Sequence, residues 1–121
     1  MNCIFCKIIN NEINSYTIYE DDIVKVFLDV NPESNGHTLI IPKKHIKDLD
    51  DMDLDTLSHI MKIAKEMKNL ITDKLNCDGL TLIQNNGDVQ EVKHFHLHLK
   101  PYFKNNQEIL PLDDIYKKIT E

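Results

Sequence analysis

His94-Phe95-His96-Leu97-His98-Leu99, near the C-terminal end of a 121-residue chain, puts an imidazole at every second position. In an extended strand alternate side chains share a face, so the three rings stand in one row and Phe95, Leu97 and Leu99 form an apolar row behind them. A helix of 3.6 residues per turn would scatter both rows. The stretch is therefore expected to be a strand running from Lys93 to Pro101, with one side for the core and one for chemistry. Imidazole, with an ordinary pKa near 6.5, is largely neutral yet ready to take a proton around pH 7. A row of three suits nucleophilic or acid-base work better than an inert polar face.

Outward from this strand, the other elements follow from periodicity and punctuation. Cys6 to Ile9 reads as a short helical turn. Thr17 to Glu20 and Val24 to Asp29 read as strands of a hairpin around Asp21-Asp22. His37 to Pro42 is a compact apolar strand closed by a proline that cannot donate to a ladder. The acidic segment Asp48 to Asp55 leads into a long helix whose Leu57, Ile60, Met61, Ala64, Met67, Ile71 and Leu75 recur at spacings of three and four. Leu80 to Gln84 is a further strand and Asn85-Asn86-Gly87 a turn. Leu112 to Ile119 gives a weak final helix, and the rest of the tail carries no readable signal. Strands, a long helix and more strands make an α+β class with an antiparallel sheet. His59 falls off the apolar stripe and is expected to be a solvated surface residue; Cys77 is expected to be a small buried apolar group.

The length suits one domain over residues 1–121, and no repeat, linker or low-complexity segment divides it. A net charge of −6 argues against a nucleic-acid polymer as partner, since backbone tracking calls for a basic surface. No apolar run approaches a membrane span, and Met1 to Ile9 lacks the features of a secretory signal. With three cysteines, an odd number, a cytoplasmic chain with thiols is the expectation.

The histidine row resembles the motif of the histidine triad (HIT) superfamily of nucleotide hydrolases and transferases, with Lys100 where a further apolar residue would close it. Cys3-Ile4-Phe5-Cys6-Lys7-Ile8-Ile9, Tyr19-Glu20-Asp21-Asp22, Phe27-Leu28-Asp29 and Gly36-His37-Thr38-Leu39-Ile40-Ile41-Pro42-Lys43-Lys44-His45 are similar to the same family in the same order. The resemblance runs from about Cys3 to Pro101. It points to a zinc-containing member of bacterial type, in the group of purine nucleoside phosphoramidases and dinucleoside polyphosphate hydrolases. It implies a HIT-like fold: an antiparallel sheet of about five strands, one long helix, a short N-terminal helix, and a homodimer joined edge to edge.

By that resemblance His96 is the nucleophile that attacks the α-phosphorus of a nucleotide conjugate and carries a covalent nucleotidyl group, splitting one displacement into two. His98 and His37 would complete the catalytic cluster beside the phosphate. The purine nucleoside would lie against Phe5, Ile8, Phe27 and Leu28, with Asp29 accepting from ribose hydroxyls and Asn85 on the phosphate or leaving side. Glu91 stands where many members carry Ser or Thr. A carboxylate there is repulsive to phosphate unless protonated or turned away, so it is expected to contact a basic leaving group or to point to solvent.

Cys3-x-x-Cys6 alone has three readings: a redox pair, two buried thiols, or half of a metal site. A closed tetrahedral set of two thiolates and two imidazoles is the favoured one. Members of the family with this CxxC imply Cys3, Cys6, His45 and His94 as ligands of a structural zinc. Two other classes stay open: a metal-dependent hydrolase in which the three histidines of the row hold the ion, and a nucleotide-binding regulatory module without significant turnover.

Overall fold

Asp21 makes the first hairpin. Its carboxylate accepts the N–H groups of Ile23 and Val24, both at 2.8 Å, closing the turn between β1 (Thr17–Glu20) and β2 (Val24–Leu28). The computed structural model describes residues 3–121, and Met1 and Asn2 lie outside the described residues. The chain continues through β3 (Thr38–Pro42), the long helix α2 (Leu54–Leu75), β4 (Gly79–Gln84), β5 (Leu97–Tyr102) and the final helix α3 (Leu112–Thr120), after a short N-terminal α1 (Ile4–Ile9). One antiparallel sheet results, in the order β1-β2-β3-β5-β4. The expected α+β architecture with five strands, one long helix and a short N-terminal helix is what the chain adopts.

The sheet separates two apolar clusters. Val24, Val26, Leu28, Ile40, Leu97 and Leu99 point to the side covered by α2 and α3, where Ile60, Ile63, Ala64, Met67, Ile71, Ile115 and Ile119 meet them. Phe27, Leu39 and Ile41 point the other way, onto Phe5 and Ile8 of α1. The stripe of α2 departs from the expected one at two places: Met61 is 45% exposed and Ile63 is buried. Both residues lie at the stripe's margin, where spacing alone does not settle which of two neighbours faces inward.

Capping sets the limits of α2. Asp53 accepts the N–H of Thr56 at 2.9 Å, and Asn76 ends the helix in the left-handed conformation at φ 53°. Gly36, at φ +89°, is required rather than incidental, because a Cβ there would stand 2.5 Å from a methyl carbon of Leu75. It lets the chain turn beneath α2 and deliver His37 to the start of β3. Lys25 is 3% exposed, and its ammonium donates to the Ile8 carbonyl at 3.1 Å, fastening the end of α1 to the sheet. Among the described residues no helix is long and apolar enough to cross a membrane.

His59 is not a free surface residue. Its Nε2 lies 2.7 Å from Asp21, and Tyr19 donates its hydroxyl to the same carboxylate at 2.8 Å, so the hairpin turn is tied to α2. Burial alone would raise the Asp21 pKa; the N–H of Val24, His59, the N–H of Ile23 and Tyr19 outweigh it and hold the carboxyl well below its usual range. A carboxyl depressed in the folded state contributes stability above its unfolded pKa and loses it as the pH falls. Asp21→Ala is expected to lower stability at pH 7 by about 2 kcal/mol, read by urea denaturation, since it orphans two backbone donors and a tyrosine. An unchanged midpoint would contradict this role.

Candidate functional site

Register builds the site. The pairs Phe27↔Leu39, Leu39↔His98 and Ile83↔His98 set His98 in one cross-strand row on the α1 side of the sheet. One step along, Asp29 donates its N–H to the His37 carbonyl at 2.9 Å, continuing the β2–β3 ladder and placing Asp29 beside His37 on that same side. His98 is diagonal to His37 on the adjacent strand, as alternation requires. The strand itself is shorter than expected: β5 begins at Leu97, so His94, Phe95 and His96 precede the ladder. Phe95 is buried in the main core and donates its N–H to the Ile46 carbonyl at 2.6 Å, which anchors this segment. The two-faced alternation therefore survives without strand pairing.

Hydrogen bonds assign each imidazole its tautomer. Glu33 donates its N–H to His37 Nδ1 at 3.1 Å, which puts the His37 proton on Nε2. That Nε2–H faces His98 Nδ1 at 2.9 Å, with Asp29 at 3.5 Å, so the proton of neutral His98 sits on its own Nε2. The His96 Nδ1–H donates to the His94 carbonyl at 2.8 Å, leaving the Nε2 of His96 with a free lone pair. His94 donates its Nε2–H to the Pro42 carbonyl at 2.8 Å, leaving Nδ1 for the thiol cluster. The three histidines of the row thus serve three different partners and do not converge on one ion. Asp29, His37 and His98 bring potential ligand atoms within 4.8 Å of one another. The proton fixed on His37 Nε2, however, denies that trio a lone pair.

Two cavities meet at His96 and His98. The more apolar one, about 260 Å³, is lined by Phe5, Ile8, Phe27, Leu39 and Val92 with Asp29 at its mouth. Phe5 packs edge-on against His96 at 5.1 Å and against Phe27 at 5.8 Å, so α1 forms its wall. Leu28 borders this cavity, yet it is 1% exposed and packs in the α2-side core, because alternation along β2 turns Phe27 and Asp29, not Leu28, toward the site. The second cavity, about 350 Å³, is polar: Asn85, Glu33, His37 and Lys100 line it. Glu91, Asp29, His96 and His98 border both.

Cys3, Cys6, His45 and His94 bring their ligand atoms within 4.8 Å of one another. Cys3 Sγ lies 3.3 Å and Cys6 Sγ 3.6 Å from His94 Nδ1; His45 Nδ1 lies 3.2 Å from both Cys6 Sγ and His94 Nδ1. Tetrahedral zinc, with bonds of about 2.3 Å to sulfur and 2.0 Å to nitrogen, has ligand edges of about 3.3–3.8 Å, so this donor set fits the ion in size and in type. Pro42, by fixing the His94 tautomer, is the outer partner such a site requires. Burial, followed by Cys3, pushes the Cys6 thiol up to about 11, and burial brings His94 down to about 4.

Several residues that hold the site gave no signal in the sequence. Asn35 is 4% exposed; it accepts the Leu110 N–H at 2.8 Å and donates to the Glu108 carbonyl at 2.9 Å, strapping the C-terminal tail beside the turn that carries Glu33. Gln90 donates to the Lys47 carbonyl at 2.6 Å and so links the loop before His94 to the loop of His45. Lys100 pairs with Glu33 and steadies the residue whose N–H sets the His37 tautomer. Cys77 is buried, as expected.

Burial, and then His96, His37 and Lys100, bring His98 down to about 4, with Asp29 opposing; burial likewise holds His37 below the ordinary imidazole value. The unfolded chain takes up these protons first, so the contribution of His98 to stability is intact above pH 6.5 and falls between about 6.5 and 4. Histidine NMR is expected to show the His98 ring still neutral at pH 5.5; a midpoint at or above 6.5 would contradict the assignment.

The family model described as the HIT domain matches residues 10–105. A HIT-like protein of Methanocaldococcus jannaschii is 42% identical over 97% of this chain and 98% of its own. The adenosine 5'-monophosphoramidase of Saccharomyces cerevisiae is 43% identical over 82% of this chain and 61% of its own. Among solved structures, a zinc-bound histidine triad family protein from Mycobacterium smegmatis superposes with a TM-score of 0.91 at 29% identity, covering 99% of this chain and 91% of that one. The chain belongs to the HIT domain family.

Proposed function

We propose that the whole chain acts as one domain, a cytoplasmic nucleotide hydrolase that releases a nucleoside monophosphate from a phosphoramidate or related purine nucleotide conjugate through a nucleotidyl group on His96. The observation that carries this reading is the free lone pair of His96 Nε2 at the junction of an apolar and a polar cavity. The names of the yeast relative and of an adenylylsulfatase from Arabidopsis thaliana support hydrolysis at a nucleotide phosphorus.

The nucleoside enters the apolar cavity, its base against Phe5, Ile8 and Phe27 and its ribose hydroxyls on Asp29. His96 Nε2 then attacks the α-phosphorus, and the bond to the leaving nitrogen breaks as that nitrogen takes a proton from water. The imidazole now carries positive charge, which the His94 carbonyl steadies through Nδ1–H. His98, its proton fixed on Nε2, donates a hydrogen bond to the phosphoryl group, and Asn85 lines the leaving side. Water next attacks phosphorus, the nucleoside monophosphate departs and His96 is restored.

Cys3, Cys6, His45 and His94 are the proposed zinc ligands. Bound there, zinc supplies cross-linking of the N-terminal helix to the segment that carries His96, and the chemistry is left to the protein's own side chains. The exposed edge of β4, with Leu82 43% exposed, supports an edge-to-edge homodimer. The divergent bonding of His94, His96 and His98 favours this reading over a metal-dependent hydrolase.

His96→Ala is expected to reduce turnover of adenosine phosphoramidate by at least about a thousandfold while adenosine monophosphate still binds. Full turnover in that variant would reject the mechanism, and binding without turnover in the unaltered protein would favour a regulatory module. Elemental analysis is expected to give about one zinc per chain, with Cys3→Ser plus Cys6→Ser losing the metal and several degrees of thermal midpoint. Metal-free protein of unchanged thermal stability would refute the zinc assignment.

A further inference from the structure

The polar cavity has a charge balance that bears on what leaves. Its lining carries Asp29, Glu33, Glu91 and Lys100 beside the imidazoles of His37, His96 and His98. Lys100 is committed to Glu33, and Asp29 accepts the Asn31 N–H at 2.8 Å and faces His37. Glu91 differs: among the described residues its carboxylate has no hydrogen-bond or ion-pair partner. It stands on the border of both cavities with His96 and His98, where the two halves of a conjugate would part. The loop that presents it is held by Gln90 on the Lys47 carbonyl and by Lys93, whose ammonium donates to the carbonyls of Gly87 and Gln90 at 2.8 and 2.9 Å. The loop backbone is therefore held on both sides of Glu91, and its exposed carboxylate is uncommitted in charge.

Beside a phosphoryl group such a carboxylate is unfavourable unless something of opposite sign lies against it. A leaving group that is itself anionic, such as a polyphosphate or an amino acid attached through nitrogen with its carboxylate free, adds to the repulsion; an ammonium removes it. Resting on the hydrolase reading above, we propose that Glu91 makes the polar cavity a leaving-group site selective for amines that bear a second, positively charged nitrogen. Lys100 does not cancel this preference, since one ammonium faces the carboxylates of Asp29, Glu33 and Glu91 in the same lining.

The test compares three adenosine phosphoramidates built on diaminopropane, propylamine and β-alanine, whose leaving groups end in an ammonium, a methyl and a carboxylate. At low ionic strength kcat/KM is expected to fall in that order, the first exceeding the last by about tenfold or more, with 0.5 M salt compressing the range. Glu91→Gln is expected to bring the three within about threefold of one another. The same order is expected in Kd on a His96→Asn background, a readout that needs no turnover. Equal kcat/KM for all three, a preference for the carboxylate, or a ratio that Glu91→Gln leaves unchanged overturns the inference while leaving the hydrolase reading intact. Absence of turnover for all three strikes that reading instead, and the order of Kd then decides the charge preference by itself.

Discussion

A backbone carbonyl two residues upstream decides what His96 can do. Because the His94 C=O accepts the Nδ1 proton, the lone pair of His96 is confined to Nε2, on the cavity side, and no rearrangement of protons is needed before that nitrogen meets an electrophile. The same logic sorts its neighbours. The Pro42 carbonyl turns the lone pair of His94 toward two thiols, and the Glu33 N–H turns the proton of His37 toward His98 Nδ1, which leaves the proton of His98 on its far nitrogen, Nε2. Three identical side chains in a row thereby take three roles, set for His94 and His96 by backbone carbonyls and for His98 by His37.

The fold exists to hold those backbone groups still. Pro42 ends β3 and Glu33 lies in the turn before it, so both lone-pair assignments depend on β3 keeping its register with β2 and β5. Gly36 makes that turn passable under α2, and Asn35 clamps it from the far side through the tail. On the opposite flank, Lys25 grips the Ile8 carbonyl of α1, so Phe5 stays against His96 and the thiols stay opposite His94. A zinc ion in that cluster would reinforce a junction the protein has already drawn together.

How much of this was readable in the residues depended on whether the signal was periodic. The alternation of His94 to Leu99 named the two faces correctly even though ladder pairing starts only at Leu97, because Phe95 is buried in the main core and anchors the segment that precedes the ladder. Phe27 and Leu28 read alike as apolar neighbours of Asp29, and both border the cavity, yet a period of two puts Leu28 in the α2-side core and Phe27 in the α1-side cluster, a distinction that the resemblance alone does not make. His59 reads as a solvated residue in the sequence because its partner, Asp21, lies 38 positions away on a hairpin turn. Asn35, Lys25 and Gln90 escaped for the same reason: each acts on backbone carbonyls remote in sequence, and a lone polar residue announces no such partner.

The central claim is that the Nε2 of His96 forms a bond to phosphorus. Mass spectrometry of protein quenched in acid-free medium during turnover of adenosine phosphoramidate tests it most directly, with peptide mapping to place any added group. The account predicts an adenylyl group on the peptide containing His96, present in the unaltered protein and absent from His96→Ala. Turnover in progress with no adduct on any histidine, or an adduct on His94 or His98 with His96 unmodified, would contradict it.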